Sequence, residues 1–280
     1  MKSIKSLGEI SDNYELFIID IYGVIHDGTD LYKDVLDTIK FLKLHNKKIV
    51  FLSNAPRRSE RTIKVLDNLG ITEEHYDYLL TSGEFAYYYF EEQDKLKYYY
   101  LGPEQDKHLL QGTAHELVND PKDADIAVVT GLTPEQKVED VLPEIKAIKD
   151  ANLEMHCINP DIFVIKKNNK SHFCAGAVAE KYKELGGNVV YYGKPYQNIY
   201  DEVIAEFDYK KSQILCIGDG LHTDIKGANQ NGLDSLLITS GMHINELGIT
   251  IGEEANINKL SDLCKNYSAT PNFVASLFKA

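Results

Sequence analysis

The sequence predicts an α/β protein, a doubly wound parallel sheet interrupted by an inserted second α/β domain. Short apolar runs of strand length alternate with segments of helical apolar spacing along the whole chain, which is the pattern of a parallel sheet covered by helices. Several of those runs stop on an aspartate, serine or glycine. A tyrosine-dense stretch in the middle breaks an otherwise continuous series.

The elements follow in order. Leu16-Phe17-Ile18-Ile19 is a buried strand that ends on Asp20 and passes into Ile21-Tyr22-Gly23-Val24. Val35, Leu36, Ile39, Leu42 and Leu44 recur at helical spacing. Lys48 to Leu52 is a second strand. Ser53-Asn54 is expected to open a helix that carries Ile63, Val65, Leu66 and Leu69 and stops at Gly70. Tyr78 to Thr81 is a short strand. Tyr87, Tyr88, Tyr89, Tyr98, Tyr99 and Tyr100 then crowd together, as core and interface residues that could support a homodimer. Asp125 to Thr130 is a strand. Thr133-Pro134-Glu135-Gln136 has the form of a helix start with a capping box. A strand over 154–158 and a helix over 174–185 follow, and Val189 to Ile238 returns to strand, helix, strand. Ile214-Leu215-Cys216-Ile217 runs into Gly218-Asp219-Gly220, with Asp224 further on. The domain division expected is 1–83 plus 191–280 for the core and 84–190 for the insertion.

Composition narrows the function. The chain has 280 residues, 43% of them hydrophobic and 26% charged, and a formal net charge of -13. A surface this acidic argues against nucleic acid or an anionic membrane as a partner. No run approaches the roughly 20 apolar residues of a membrane span, and the first residues lack the apolar centre of a secretion signal. The four cysteines, Cys157, Cys174, Cys216 and Cys264, form no Cys-x-x-Cys pair and suit reduced, buried thiols in a cytoplasmic protein. Gly218-Asp219-Gly220 lacks the further glycine of a dinucleotide fingerprint, because position 223 is threonine.

Two strands that deliver acids to the carboxyl edge of one sheet, Asp20 and Asp219, suggest a divalent cation with one carboxylate left to attack phosphorus. Each residue has a plainer reading. Asp20 could cap its turn, Asp224 could cap the helix over 225–231, and Ser53 or Asn54 could be an ordinary helix cap.

Four segments at strand ends weigh against those plainer readings. They are Asp20-Ile21-Tyr22-Gly23-Val24, Leu52-Ser53-Asn54-Ala55-Pro56-Arg57, Gly193-Lys194-Pro195, and Gly218-Asp219-Gly220-Leu221-His222-Thr223-Asp224. In this order and spacing they resemble the four motifs of the haloacid dehalogenase-like (HAD) hydrolases, over nearly the whole chain. The position of the insertion resembles subclass IIA, with its α/β cap on a Rossmann-like core. The resemblance implies a Mg2+-dependent phosphatase acting on a small phosphorylated metabolite, such as a sugar phosphate, through an aspartyl phosphate. It implies Asp20 as nucleophile and Lys194 as the catalytic cation. Ser53, the Asn54 amide and Lys194 would bind phosphate. Asp20, Asp219 and the carbonyl of Tyr22 would hold magnesium, with Asp224 behind them or orienting Lys194. Asn159, Pro160 and Asp161 would form the specificity loop of the cap. Tyr22 is the departure, because most phosphatases of this group carry an aspartate there as general acid and base. His26 and Asp27 either replace it or serve the turn around Gly28. A phosphotransferase, or a weakly catalytic binder of phosphate ligands, is the alternative.

Overall fold

The strand Leu16–Ile19 is buried at every position and lies near the middle of a seven-stranded sheet. The order across that sheet is Lys2–Ser3, Phe273–Ala275, Asp234–Ile238, Ile214–Gly218, Leu16–Ile19, Lys48–Ser53 and Tyr78–Thr81. Pairing is parallel from Lys2–Ser3 through Lys48–Ser53. The chain winds outward from Leu16–Ile19 in one direction through Lys48–Ser53, and from Ile214–Gly218 in the other. The strand order therefore reverses between Leu16–Ile19 and Ile214–Gly218, the place where open α/β sheets leave a crevice at their carboxyl ends.

The structure is a computed structural model and describes residues 1–165 and 171–280. It divides into two compact units. One is formed by Met1–Ser53, Ile63–Leu80 and Tyr200–Ala280, and the other by Asn54–Thr62 and Thr81–Ile199.

In the first unit both sheet faces are covered, which is why its strands read as continuous apolar runs rather than alternating ones. Phe17, Ile19, Ile49, Phe51, Leu215 and Ile217 pack on one face with Val35, Ile39 and Leu42. Leu237 packs on the other with Leu221, Ile225, Leu260 and Leu263. The helix Val35–Leu44 buries Val35, Thr38, Ile39 and Leu42, one stripe at helical spacing. Leu44, expected on that stripe, is 82% exposed. It lies two positions beyond Leu42 and so faces the opposite side of the helix.

The second unit has its own parallel sheet, in the order Val189–Tyr191, Glu154–Cys157, Ile126–Val129, Lys97–Leu101 and Glu116–Val118. The strands Phe163–Ile165 and Ser171–Phe173 pair antiparallel. Ile145 and Ile148 of the helix Leu142–Asp150, and Val178 and Tyr182 of the helix Ala175–Glu184, cover one face of the sheet. Phe90, Tyr98, Ile126, Val128 and Tyr192 pack on the other. The tyrosines divide accordingly. Tyr98 is core, the Tyr100 hydroxyl bonds Thr130 Oγ1 and the Pro103 carbonyl, and Tyr88 and Tyr89 are exposed.

Two helix starts differ from expectation. The Thr133 amide does bond Gln136 Oε1 at 3.0 Å, but this closes a turn, and the α-helix begins only at Leu142 with a proline in its first turn. The helix expected from Ser53-Asn54 runs instead over Ser59–Asn68. Pro56 holds Ala55 out of the helical region and offers no N–H. The first-turn amide of Ser59 donates to Glu84 Oε2 at 2.7 Å, a carboxylate that Arg58 grips at 2.9 and 2.8 Å. No helix among the described residues is long and apolar enough to cross a membrane.

Asp77 ties the amino end of the strand Lys48–Ser53 to the preceding helix. It accepts from the Ile49 amide at 3.0 Å, Lys43 at 2.9 Å and Lys48 at 2.8 Å. Burial pushes its carboxyl up, but Lys48, the Ile49 amide and Lys43 together pull it below the usual range. A folded-state pKa below the unfolded one stabilises above the unfolded pKa, near 4, and that contribution is lost as pH falls through the folded value. Because both lysines reach solvent, Asp77→Asn is expected to cost about 1 kcal/mol at pH 7. The difference from the parent should shrink in chemical denaturation as the pH falls from the unfolded pKa through the lower folded one.

Candidate functional site

Ile19 and Ile217 are register partners, and the Asp20 amide continues the ladder by donating to the Ile217 carbonyl at 2.8 Å. The residues that follow these two strands thus leave the sheet side by side. Asp20 follows one and Asp219 the other, and Asp224 folds back beside them. One carboxylate oxygen from each of the three lies within 4.8 Å of the others. Their exposures are 9%, 5% and 5% in that order. Ser53, also buried, ends the strand on the other side of Leu16–Ile19.

Asp219 is enclosed by backbone. A Cβ on Gly23, which has φ +90°, would lie 1.9 Å from Asp219 Oδ2, and a Cβ on Gly241 would lie 2.1 Å from it. The Met242 amide donates to the same oxygen at 2.7 Å. Glycine is required at both positions because the chain approaches the carboxylate from two sides.

Asp224 does not cap the helix that follows it. Its Oδ2 reaches back to accept from the Gly220 amide at 3.0 Å and the Thr223 hydroxyl at 3.3 Å. The segment Leu221–Ile225 forms a π-helical turn before the helix Lys226–Asn231, and that turn brings Asp224 back over Gly218.

Tyr22 is half-buried and meets His26 edge-on at 5.9 Å. Burial, and then the carboxylates of Asp27 and Asp219, push its phenol above the ordinary value. At neutral pH it is a proton donor and not a base. His26 Nδ1 accepts from the Gly28 amide at 2.9 Å. Asp27 Oδ1 accepts from the Thr29 amide and hydroxyl and from the Asp30 amide. Both side chains therefore serve the turn around Gly28.

The second unit collects the remaining candidates. Asn54 Oδ1 accepts from the Lys194 amide at 2.8 Å, and its Nδ2 donates to the Lys194 carbonyl at 3.0 Å and to Asp161 Oδ1 at 2.8 Å. Gly193 permits this, since a Cβ there would lie 2.6 Å from Asn54 Oδ1 and 2.9 Å from Pro160 Cδ. Lys194 is 3% exposed. Asn159 Oδ1 accepts from the Asp161 amide at 3.0 Å, forming an Asx turn. Asn54, Asp161 and Lys194 are thus brought together, with Asn159 and Pro160 in the same loop. Because the helix starts at Ser59, the Asn54 amide is not at a helix N-terminus, and the dipole support expected of it is absent. Arg58 lies over the Tyr87 ring at 3.4 Å while pairing with Glu84. Gly241, Met242 and Glu84 lie outside the four motifs. Gly241 shortly after the strand Asp234–Ile238 repeats the strand-to-glycine pattern and was the available signal.

Clustered carboxylate oxygens with no sulfur or imidazole ligand in the group suit a hard divalent ion such as Mg2+ or Ca2+. A bound cation would offset the repulsion among three acids so close.

The pattern for haloacid dehalogenase-like hydrolases matches residues 17–116, and a HAD-hydrolase-like pattern matches residues 191–263. The 4-nitrophenylphosphatase of Schizosaccharomyces pombe is 26% identical over 268 residues, covering 86% of this chain and 89% of that protein. Chloroplastic phosphoglycolate phosphatase 1A of Arabidopsis thaliana is 26% identical, covering 86% of this chain and 73% of that protein. The crystal structure of a haloacid dehalogenase-like hydrolase from Brucella suis superposes with a TM-score of 0.83 at 28% identity, covering 98% of this chain and 99% of that one. The matched segments include both strands that carry the clustered acids, and the chain belongs to the haloacid dehalogenase-like hydrolases.

Proposed function

We propose that this protein is a Mg2+-dependent phosphatase of small phosphorylated metabolites, sugar phosphates among them, working through an aspartyl phosphate on Asp20. The observation that carries the reading is the meeting of Asp20, Asp219 and Asp224 at the carboxyl edge of adjacent parallel strands. A protein that merely bound phosphate would have no use for an in-line carboxylate. The relatives named as 4-nitrophenyl and phosphoglycolate phosphatases support the substrate class.

In this reading an Asp20 oxygen attacks phosphorus and the ester oxygen leaves, taking a proton from the Tyr22 phenol or from water. Water then cleaves the aspartyl phosphate to release phosphate and restore the carboxylate. Asp219 and Asp20, with the Tyr22 carbonyl, would hold magnesium, which when bound offsets charge on the phosphoryl oxygens. Ser53 donates to a phosphoryl oxygen. Lys194, whose backbone is clamped by Asn54, adds fixed positive charge. Asp224 holds the Gly220 backbone. We read residues 84–190 as an inserted cap whose loop Asn159-Pro160-Asp161 selects the substrate. Four buried cysteines in the thiol form suit a reducing compartment such as the cytoplasm.

A second reading, phosphotransfer to another acceptor, draws on Tyr22. Its raised phenol pKa leaves no base at that position to activate water, so the aspartyl phosphate should persist.

With 4-nitrophenyl phosphate and magnesium, Asp20→Asn should lose about four powers of ten in kcat while remaining folded. Retained turnover would remove Asp20 as nucleophile. Lys194→Ala should lower kcat about 10²- to 10³-fold, and a parental rate would make it structural. Tyr22→Asp should raise turnover of poor leaving groups about tenfold or more. Rapid mixing of the parent should show a burst of nitrophenol near one equivalent before a slower steady state. A linear onset, with no gain from Tyr22→Asp, would mean that dephosphorylation is not what Tyr22 slows.

A further inference from the structure

Residues 239–246 lie outside the four motifs, yet they grip the Asp219 loop at two successive points. The Met242 amide donates to Asp219 Oδ2 at 2.7 Å. The next residue, His243, is 1% exposed, and its Nε2 lies 3.1 Å from the Leu221 amide. A backbone N–H can only donate, so Nε2 is the unprotonated acceptor and the ring proton is on Nδ1. That proton faces Glu246 Oε2 at 2.5 Å. The other carboxylate oxygen of Glu246 accepts from the Tyr267 hydroxyl at 3.2 Å. The Tyr267 ring packs against His243 at 5.0 Å and lies over His222 at 5.9 Å. Burial pulls the His243 imidazole below its ordinary pKa against the pull of Glu246, which favours the neutral ring that can accept.

We infer that His243 is a positioning residue for the metal site, with Glu246 setting its tautomer. The loop Gly218-Asp219-Gly220 has two glycines and little intrinsic stiffness. Asp219 can present an oxygen to a cation only if this backbone is held. Three consecutive residues are pinned: Asp219 by the Met242 amide, the Gly220 amide by Asp224, and the Leu221 amide by His243. Two of the three pins come from positions 242 and 243. Removing the His243 ring frees the Leu221 end of the loop and lets Asp219 and Asp224 drift from their shared geometry. Partners standing behind metal ligands in this way commonly contribute about 10- to 100-fold in metal affinity. The inference rests on the reading of Asp20 and Asp219 as magnesium ligands.

The test is calorimetric titration of the full chain with MgCl2, beside metal-free melting curves that separate affinity from stability. His243→Ala should bind Mg2+ about 10- to 100-fold more weakly. His243→Gln, whose side-chain oxygen can accept from Leu221, should stay within about threefold of the parent. Glu246→Ala, at a half-exposed carboxylate, should weaken binding about three- to tenfold, and it decides the matter if His243→Ala does not fold. Parental affinity in a folded His243→Ala, or His243→Gln as weak as His243→Ala, would overturn the inference. If His243→Ala does not fold, parental affinity in Glu246→Ala would do the same. A parent that binds Mg2+, loses it in Asp219→Ala and keeps its full affinity in His243→Ala sinks this inference alone. A parent that binds no Mg2+ sinks the metal-dependent reading with it.

Discussion

Asp219 can sit where it does only because backbone from two directions closes on its carboxylate. Gly23 and Gly241 each come so near to Oδ2 that a methyl group would collide with it, and the Met242 amide bonds it directly. That closure determines the course of the turn after Asp20 and of the segment after the strand Asp234–Ile238. It also holds an acidic side chain in a buried place by replacing lost hydration with an oriented N–H. Asp224 is treated in the same way, through the Gly220 amide and the Thr223 hydroxyl. Parallel pairing of Leu16–Ile19 with Ile214–Gly218 brings the acids to the same edge, and the glycines let them approach one another.

The surroundings of Tyr22 make it a distinctive residue of this site. Burial and two neighbouring carboxylates keep the phenol protonated, while the side chains that could have replaced a missing acid are occupied in the turn around Gly28. Chemistry that needs a proton delivered to a leaving group is better served there than chemistry that needs one removed from water.

In the second unit one asparagine does the joining. Asn54 bonds both backbone groups of Lys194 and the Asp161 carboxylate, so it links the loop before the helix Ser59–Asn68, the turn at Gly193 and the Asn159–Asp161 loop. Glu84 has a similar role at the start of that helix, taking the Ser59 amide and Arg58 together.

The doubly wound sheet was legible in the sequence because its strands are buried on both faces and therefore appear as unbroken apolar runs. Leu16–Ile19 and Ile214–Gly218 could be found from those runs alone. Asp20 and Asp219 were legible because strand ends followed by glycine place acids at a sheet edge, whereas Asp224 was reached only through the fourth motif. Local helix signals were less reliable. Thr133-Pro134-Glu135-Gln136 and Ser53-Asn54 both carry start chemistry, but the chain delays each helix to Leu142 and Ser59. In the second case the amide is met by Glu84, 25 residues away in sequence. The sequence by itself determined the alternation, the sheet class and the identity of the clustered acids, since these depend on residue type and period along the chain. Only the tertiary structure decided that Asp224 turns back to Gly220, that Asn54 clamps Lys194 and Asp161, that Gly241 and Met242 close on Asp219, and that His243 meets the Leu221 amide. Those contacts join segments far apart in the chain or bend against local propensity, and side-chain hydrogen bonding across such distances leaves no periodic trace in sequence.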